Sequence, residues 1–406
     1  MRPGFYISRV RARNFRNFED LDVELGRLNV VIGHNAAGKS NFLRVFSFLR
    51  DIVDHGLGDA ISYQGGRSSL LRFGATDGVL AMEFHFAADR PVSIFDLDMR
   101  RNGHKIYTDE IIYKFEIKFD GSNYEIRSDE LKLSCFALKR SKKEEPYHVL
   151  ISGKTGKIST QCPLIKSDIK KHIETVVQHE SSEQHLILES RHLITVISSY
   201  LRVFLSRFGI YDFDSTKIKT SNSKAGPLRL LPDGSNLSIV MRNIESDKKA
   251  FDELILLLRD TLPFIKNTKT EISDFGGLEL YLQETYSPKY LHSVHASDGT
   301  MNVLAMLICL FTQDLRFTTI EEPERSLHPG LLSFMVQLMD ESSETNQIVI
   351  TTHNPDILGH APSDSILLIK RAKNGNSAII RAPDDKMVKK FQNELTVSKL
   401  MRYNML

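Results

Sequence analysis

Apolar and polar positions change their spacing several times along the chain. Near the start, two stretches of mixed alternation predict strands, and the largely apolar residues 28–32 predict a buried strand. Helical spacing follows from about Ser40. From about Val79 the pattern favours successive strands separated by Gly, Asp and Asn turn signals. This region is expected to form a β-rich lobe.

The middle of the chain then shows helical spacing. Residues 168–208 and 238–264 carry apolar positions at helical intervals, and the small polar residues of 214–226 predict a loop. From Leu291 onward, helices alternate with strands again. The simplest interpretation is an α/β domain at 1–88 and 291–406 that is interrupted by an insertion at 89–290, first β-rich and then helical.

Composition excludes several classes of protein. The 406 residues are 41% hydrophobic and 26% charged, with a net charge of +2, which is ordinary for a globular protein and indicates no particular partner. The three cysteines form no C-x-x-C pair, so neither a disulfide framework nor a zinc site is expected. We find no signal peptide and no apolar run of membrane-spanning length. A cytoplasmic location fits best.

The strongest chemical signal is a phosphate-binding loop between the buried strand and the helix. In such a loop, successive backbone N–H groups and the helix N-terminus bind phosphate, the lysine reaches the β- and γ-phosphates, and the serine hydroxyl binds Mg²⁺. Glycine is needed where the backbone approaches phosphate closely. The residues are Gly33, Gly38, Lys39 and Ser40, with Asn35 inside the loop.

Three weaker signals lie in the C-terminal part. Glu321 and Glu322 end an apolar strand, where the first carboxylate could hold Mg²⁺ and the second could orient or deprotonate water. His353 ends another apolar strand and could contact a γ-phosphate. Residues 297–300, Ser-Asp-Gly-Thr, precede an apolar helix and form either a simple helix cap or an anion site. Each signal alone has an ordinary structural explanation.

The order of these four signals resembles the ATP-binding-cassette ATPases. It is similar to the soluble branch that contains RecF, the SMC proteins and the OLD-family ATPases, and most of all to compact bacterial AAA-family ATPases of that branch. Further likeness lies in "NFRNFEDLDVELGRLNVVIGHNAAGKSNFL", "LPDGSNLSIVM", "EEPERSLHP" and "TTHNPDIL". The resemblance implies a P-loop ABC-type ATPase head with ATP and Mg²⁺ as cofactors.

The resemblance also implies roles for individual residues. Gly33, Gly38, Lys39 and Ser40 match the Walker A loop, and Glu321 and Glu322 match the Walker B pair, with Glu322 as the catalytic base. Ser297, Asp298 and Gly299 match the signature loop, and His353 matches the switch histidine. Residues 324–328 match the loop that links the two sites of a dimer. Glu321 stands where transporters have aspartate, and Gln64 is the candidate for the Q-loop glutamine.

The implied mechanism is ATP-gated closure of two chains. Each P-loop would face the signature loop of the partner, and hydrolysis would open the dimer. Turnover is expected to be slow until that arrangement forms.

The distance between motifs narrows the subclass. The 257 residues from Ser40 to Ser297 exceed what a transporter subunit needs, are too few for SMC arms and contain no zinc-hook C-x-x-C. Only 53 residues follow His353, so an intrinsic TOPRIM nuclease domain is not expected.

Three functions from different classes stay open. The first is an ATPase that regulates a separately encoded effector, as similar compact ATPases do in bacterial anti-phage systems. The second is a RecF-like DNA-repair ATPase, for which the basic clusters at 139–143 and 166–171 could contact DNA, although a solvated loop explains each cluster better. The third is the nucleotide-binding subunit of a transporter.

Overall fold

In the computed structural model, the chain divides into two units. The structure describes residues 4–95, 105–121, 123–139, 142–143, 147–154, 157–161, 185–189, 199–220, 225–274, 276–385, 397 and 401. The first unit comprises residues 1–26, 34–208 and 369–380, and the second comprises 27–33, 209–368 and 381–406. The basic cluster at 166–171 and the side chains of the cluster at 139–143 lie outside the described residues.

The first unit is built on an eight-stranded antiparallel sheet. Its order is β2-β1-β4-β5-β6-β8-β9, with β7 paired to β6. Residues alternate between the faces, as Phe84 and Phe86 are buried whereas Glu83 and His85 lie on the opposite face. The strands are β1 Phe5–Phe15, β2 Phe18–Glu24, β4 Val79–Phe95, β5 Lys105–Asp120, β6 Asn123–Lys139, β7 Lys142–Lys143, β8 Tyr147–Lys154 and β9 Lys157–Gln161.

The buried face of this sheet holds the helix that follows the P-loop. The ring of Phe48 in this helix lies 6.2 Å from that of Phe15 in β1 and 6.4 Å from that of Phe115 in β5, centroid to centroid. Aromatic packing of this kind fixes the helix on the sheet. The helices of the unit are α1 Lys39–His55, α2 Leu57–Tyr63, α3 Arg67–Leu70 and α4 Ser199–Leu205, with a 3₁₀ turn at Ile187–Glu189.

The second unit is built on a parallel sheet. It contains five strands of a six-stranded sheet whose order is β10-β14-β15-β3-β16-β17. Strand β3, the expected buried strand, pairs in parallel with both β15 and β16. Strand β16 passes into the first unit after Leu368, and β17 lies almost wholly in the first unit. The strands are β3 Leu28–Ile32, β10 Phe208–Tyr211, β14 Phe317–Glu321, β15 Gln347–Thr352, β16 Ile366–Arg371 and β17 Ser377–Arg381.

Helices and a small antiparallel sheet complete the second unit. The apolar side chains from Met301 to Leu310, in α8 and in the π-helical turn Ile308–Thr312 that follows it, are buried in one large core. The small sheet has the order β11-β12-β13, with β11 Ile265–Ile272, β12 Leu278–Glu284 and β13 Tyr290–His292. The helices are α5 Ser215–Ile218, α6 Leu237–Ser246, α7 Lys248–Thr261, α8 Asp298–Leu307, α9 Pro329–Ser343 and α10 Pro355–Leu358.

Some sequence-based expectations need correction in the middle of the chain. The loop predicted at 214–226 is wrong for Ser215–Ile218, which form a helical turn because Asp214 caps it and Ile218 is buried in the core. The single helical stretch at 238–264 is two helices, because Asp247 accepts bonds from the backbone of Lys249 and Ala250 and starts a new helix. Strands β10 to β13 were not predicted.

Candidate nucleotide site

The P-loop belongs to the first unit from His34 onward, directly after Gly33 at the end of β3. Ala36 and Gly38 adopt positive φ angles of 61° and 109°. Left-handed residues between right-handed ones turn neighbouring N–H groups toward a common point and so form an anion nest. Lys39 is 8% exposed, and its ammonium group donates to the His34 carbonyl oxygen at 3.2 Å. The Lys39 side chain therefore lies along the P-loop, next to the place where phosphate would bind.

Two residues that the sequence reasoning missed support this loop from behind. The Asn17 amide donates to the Ser377 hydroxyl at 2.5 Å, and that hydroxyl donates to the Ala37 carbonyl at 2.6 Å. Asn17 also accepts a bond from the Asn41 amide at 2.8 Å. A Cβ on Gly38 would lie 2.3 Å from the Asn17 amide nitrogen, so this position needs glycine for space as well as for its φ angle. The only sequence signal for Asn17 was its place in the quoted family segment.

The loop suits a polyphosphate. Helix α1 is 17 residues long, its first turn holds no acidic residue, and its cap residue is Gly38, which has no side chain to occupy the helix N-terminus. The N-terminus of a helix of this length carries partial positive charge. A nest, a helix N-terminus and a buried lysine together fit the phosphates of a nucleotide.

Gln64 is placed in a buried polar network of the first unit. Its amide donates to the Asp51 carboxylate at 2.9 Å and to the Ser47 hydroxyl at 3.3 Å, and its side-chain oxygen accepts from Arg16 at 2.9 Å. Burial lowers the pKa of Arg16, with a further contribution from the nearby charge of Arg44. The Gln64 side chain is thus held on both sides by protein groups.

The carboxylate pair lies in the second unit at the end of β14. Glu321 is the last residue of the strand, and Glu322 turns the chain with a left-handed φ of 46°. The Glu322 N–H donates to the Thr351 carbonyl in the neighbouring strand β15 at 2.8 Å. A left-handed conformation costs energy for any residue with a Cβ, and such strain is common at functional sites.

His353 and Arg325 both contact the Glu322 side chain. One carboxylate oxygen lies 2.9 Å from Nδ1 of His353, and the other accepts from the Arg325 guanidinium at 3.3 Å. Burial alone would raise the pKa of Glu322, but the hydrogen bonds and charges of His353 and Arg325 outweigh it and lower that pKa. Glu322 is therefore held as a carboxylate in the resting chain.

A second carboxylate, Glu324, lies behind this group. Its side chain is 7% exposed and accepts a 2.5 Å hydrogen bond from Thr352, whose hydroxyl in turn accepts from the Asn354 N–H at 2.9 Å. Its other oxygen, Oε2, has no hydrogen-bond partner within the described part of the protein. Burial raises the pKa of Glu324. Glu324 thus ties the loop after β14 to the turn that carries His353.

The residues that the resemblance matches to the signature loop start helix α8. The Ser297 hydroxyl accepts from the Thr300 N–H at 3.1 Å, so it is an N-cap in this structure. Asp298 forms an ion pair with Lys219 at 2.5 Å, and this pair with its hydrogen bond lowers the pKa of Asp298. The capping explanation of residues 297–300 holds for the resting chain.

Gly299 brings the signature helix against the loop after the carboxylate pair. A Cβ at this position would lie 2.5 Å from the Ser326 carbonyl oxygen. One turn further along α8, the Asn302 amide donates to the Arg325 carbonyl at 3.0 Å. The structure therefore joins Glu322, His353 and the signature helix within one unit through residues 324–326.

Within the described ranges, no group of three or more His, Cys, Asp or Glu side chains could hold a metal ion alone. Mg²⁺ in phosphoryl-transfer sites is commonly held by one or two protein ligands together with phosphates and water. In the same ranges, no helix has the length and apolarity to cross a membrane.

The fold is that of an ABC-type ATPase head of the SMC kind. The model of the AAA ATPase domain family matches residues 6–358, so the chain belongs to that family.

Solved SMC head domains share the fold. The SMC head bound to the C-terminal winged-helix domain of ScpA has a TM-score of 0.52 at 13% identity, with 98% of this chain and 99% of that chain covered. A head domain with an extended coiled coil, bound to the C-terminal domain of ScpA from Pyrococcus furiosus, has a TM-score of 0.50 at 12% identity, with 98% of each chain covered. Likeness at this identity concerns the fold alone.

Two curated proteins share short segments with the chain. Endonuclease GajA of Bacillus cereus is 46% identical over 45 residues, which are 11% of this chain and 8% of that protein. The DNA replication and repair protein RecF of Desulforudis audaxviator is 49% identical over 43 residues, or 10% of this chain and 12% of that protein. The matched parts therefore span a small fraction of either relative.

Proposed function

We propose that this ATPase works as a nucleotide-gated pair of chains that controls a separately encoded effector protein, in bacterial anti-phage defence. The observation that carries the gating part is the contact of residues 325 and 326 with the signature helix. Asn302 and Gly299 touch the same loop whose neighbour Glu322 would act on ATP. ATP hydrolysis at Glu322 and the position of helix α8, which would face a second chain, would then be coupled within each subunit.

Residue roles follow from the resemblance and from the local geometry. Gly33, Asn35, Gly38 and Lys39 would hold the phosphates, and Ser40 and Glu321 would bind Mg²⁺, which supplies charge neutralisation at the γ-phosphate. Glu322 would accept the proton of the attacking water, and His353 would orient that carboxylate and contact the γ-phosphate. Ser297, Asp298 and Gly299 would complete the site of the partner chain. Hydrolysis would be slow before that pairing.

The defence assignment rests on the resemblance to bacterial ATPases of anti-phage systems, and a short segment is similar to a protein named Endonuclease GajA. The insertion at 89–290 would carry the shape change to the effector. The chain would act in the cytoplasm.

The first test is a pull-down of Glu322→Gln from the native host in ATP, with and without added nuclease. The amide keeps the size of Glu322 but is not a base, so it should bind ATP and keep the paired state. Wild type in ADP is the matched control. A stoichiometric soluble protein recovered only with Glu322→Gln in ATP supports the effector role, and a monomeric Glu322→Gln chain in ATP contradicts the gating.

Pairing is tested separately at the signature loop. Ser297→Arg should bind ATP but lose hydrolysis, because a bulky cation would block the partner. Since Ser297 is also an N-cap, Ser297→Ala is the control that removes the cap without adding bulk. Normal hydrolysis by Ser297→Arg would exclude a site completed by a second chain.

A RecF-like DNA-repair role is the second candidate, and the 43-residue similarity to RecF favours it. Recovery of nucleic acid alone in the pull-down would support this function over the effector role. Affinity for DNA should then fall steeply with salt, as expected for phosphate contacts.

A further inference from the structure

Arg325 has more partners than its place in the sequence suggests. One guanidinium nitrogen donates to the Asp212 carboxylate at 3.0 Å and to the Phe213 carbonyl at 3.2 Å, and the other donates to Glu322 at 3.3 Å. Asp212 and Phe213 follow directly after β10, so these contacts anchor the guanidinium to a second element of the same unit. Arg325 therefore sits beside Glu322 in a fixed position.

This contact restricts what Glu322 can do. With His353 on one carboxylate oxygen and Arg325 on the other, the orientation of the carboxylate is set by protein groups. A general base needs a lone pair aimed at the attacking water, and a carboxylate that shares its charge with a guanidinium is a poorer base. A positioned cation on this oxygen opposes proton abstraction.

The backbone of Arg325 is tied to the signature helix. Its carbonyl accepts the bond from Asn302, and the next residue, Ser326, has a left-handed φ of 63° and places its carbonyl where Gly299 has no side chain. Any displacement of the start of α8 must therefore move residues 325 and 326. Helix α8 is the element that would meet a partner chain.

We propose that Arg325 is a positioning residue that restrains Glu322 in the unpaired chain, and that movement of the signature helix on pairing releases it. The proposal rests on the proposed function, since it deepens the regulation of the same site. It would account for the slow turnover expected of the unpaired chain by a contact within the chain, in addition to the missing partner loop. The guanidinium acts on Glu322 and need not touch the nucleotide.

The test is steady-state ATP hydrolysis by Arg325→Ala at protein concentrations low enough to keep the chain unpaired. We expect kcat to rise by about two- to fivefold, the size expected from losing one partly exposed ion pair, with KM unchanged. Arg325→Lys keeps a cation and should return kcat toward wild type. Arg316→Ala is the matched control, because Arg316 directly precedes β14, at the end of the strand away from Glu322, and its side chain donates to the Thr345 carbonyl at 3.5 Å.

Specific results would overturn the proposal. These are a kcat for Arg325→Ala at or below wild type, a Lys variant as fast as the Ala variant, or a rise in KM that matches the rise in kcat. If Arg325→Ala is unfolded by thermal melting, Arg325→Gln replaces it, because the amide can keep the bond to Phe213 without the charge.

The controls separate this proposal from the proposed function. If wild type hydrolyses ATP, Lys39→Ala does not, and Arg325 variants match wild type, only the restraint by Arg325 falls. If neither wild type nor Arg325→Ala hydrolyses ATP even at protein concentrations that allow pairing, both proposals fall.

Discussion

The P-loop and the carboxylate region differ in what builds them. The P-loop would bind phosphate through main-chain groups that consecutive residues present, with positive φ angles at Ala36 and Gly38. The carboxylate region depends on side chains from separate segments, as Glu322 meets His353 and Arg325, and Arg325 meets Asp212. A main-chain site can be recognised from a short string of letters, whereas side-chain couplings of this kind become visible only once the chain is folded.

The largest effect is expected on ATP affinity, from a substitution in the P-loop alone. Lys39→Ala removes the cation that lies along the loop and should weaken ATP binding by roughly two orders of magnitude or more, a usual cost of losing a preorganised charge. Calorimetric titration with ATP and Mg²⁺ measures the affinity. Lys373→Ala, an exposed lysine between β16 and β17, is the control. Unchanged affinity of Lys39→Ala would remove this loop from nucleotide binding.

Removal of the titratable Asp129 carboxyl from the sheet of the first unit should alter the stability of the protein without altering ATP binding. Asp129 is fully buried, and burial raises its pKa to about 7, although the Ile187 N–H donates to it. Its folded pKa exceeds the unfolded value, so between about pH 4 and 7 the folded state binds the extra proton and stability falls as pH rises. The slope is at most about 1.4 kcal/mol per pH unit.

Asp129→Asn should remove this contribution to the pH dependence while keeping an oxygen for the Ile187 N–H. Urea unfolding at several pH values measures it. Glu130→Gln is the control, because Glu130 is adjacent, partly exposed and paired with Lys114 at 2.8 Å. Equal pH dependence of Asp129→Asn and wild type would show that Asp129 does not titrate in this range.

A smaller effect on stability is expected for alanine at Gly299, compared with alanine at Gly330. Gly299→Ala forces a methyl group toward the Ser326 carbonyl without any φ strain, since no positive φ occurs there, and should cost roughly 1–3 kcal/mol of stability. Hydrolysis should fall with it, because residues 325 and 326 must shift. Gly330→Ala, whose Cβ would meet only the His328 side chain, is the control. Full stability and activity of Gly299→Ala would mean that this contact yields easily.

The smallest effect is expected at Arg371, an exposed residue that is far from the P-loop in sequence but bonds to it. Arg371 donates to the Ala36 carbonyl at 3.2 Å from an exposed position. Its removal in Arg371→Ala should change ATP affinity by no more than about twofold, as surface substitutions usually do. Ser377→Ala, which removes a buried bond to Ala37, should cost more. If Arg371→Ala had the larger effect, the P-loop would depend on surface contacts more than its main-chain chemistry implies.

Much of the fold could be predicted where apolar spacing is regular. Strand β3, helix α1 and the alternation of helices and strands from residue 298 onward follow from pattern and from the P-loop letters. The class of ATPase was confirmed by the family match. Strand β10 was not predicted because its four residues are too few to show a period.

The missed parts of the candidate site share a physical cause. Asn17, Ser377, Asp212 and Arg325 are ordinary polar residues whose contacts lie far away in sequence, such as the 113 positions between Arg325 and Asp212. Asn17 and Arg325 lie in segments that the family resemblance marks, but no local pattern predicts which residues these four contact, since their partners are set by strand order. Ser297, Asp298, Gly299, Glu321, Glu322 and His353 keep their predicted roles as proposals.

The central position of β3 has a consequence for how the protein is made. Leu28–Ile32 is fully buried and pairs on both sides with strands that begin at Gln347 and Ile366, more than 300 residues later in synthesis. At about 5–20 residues per second, a ribosome needs on the order of 15 to 60 s to supply them. The nascent chain must keep this apolar segment from self-association for all of that time, so its folding during synthesis should benefit from chaperones.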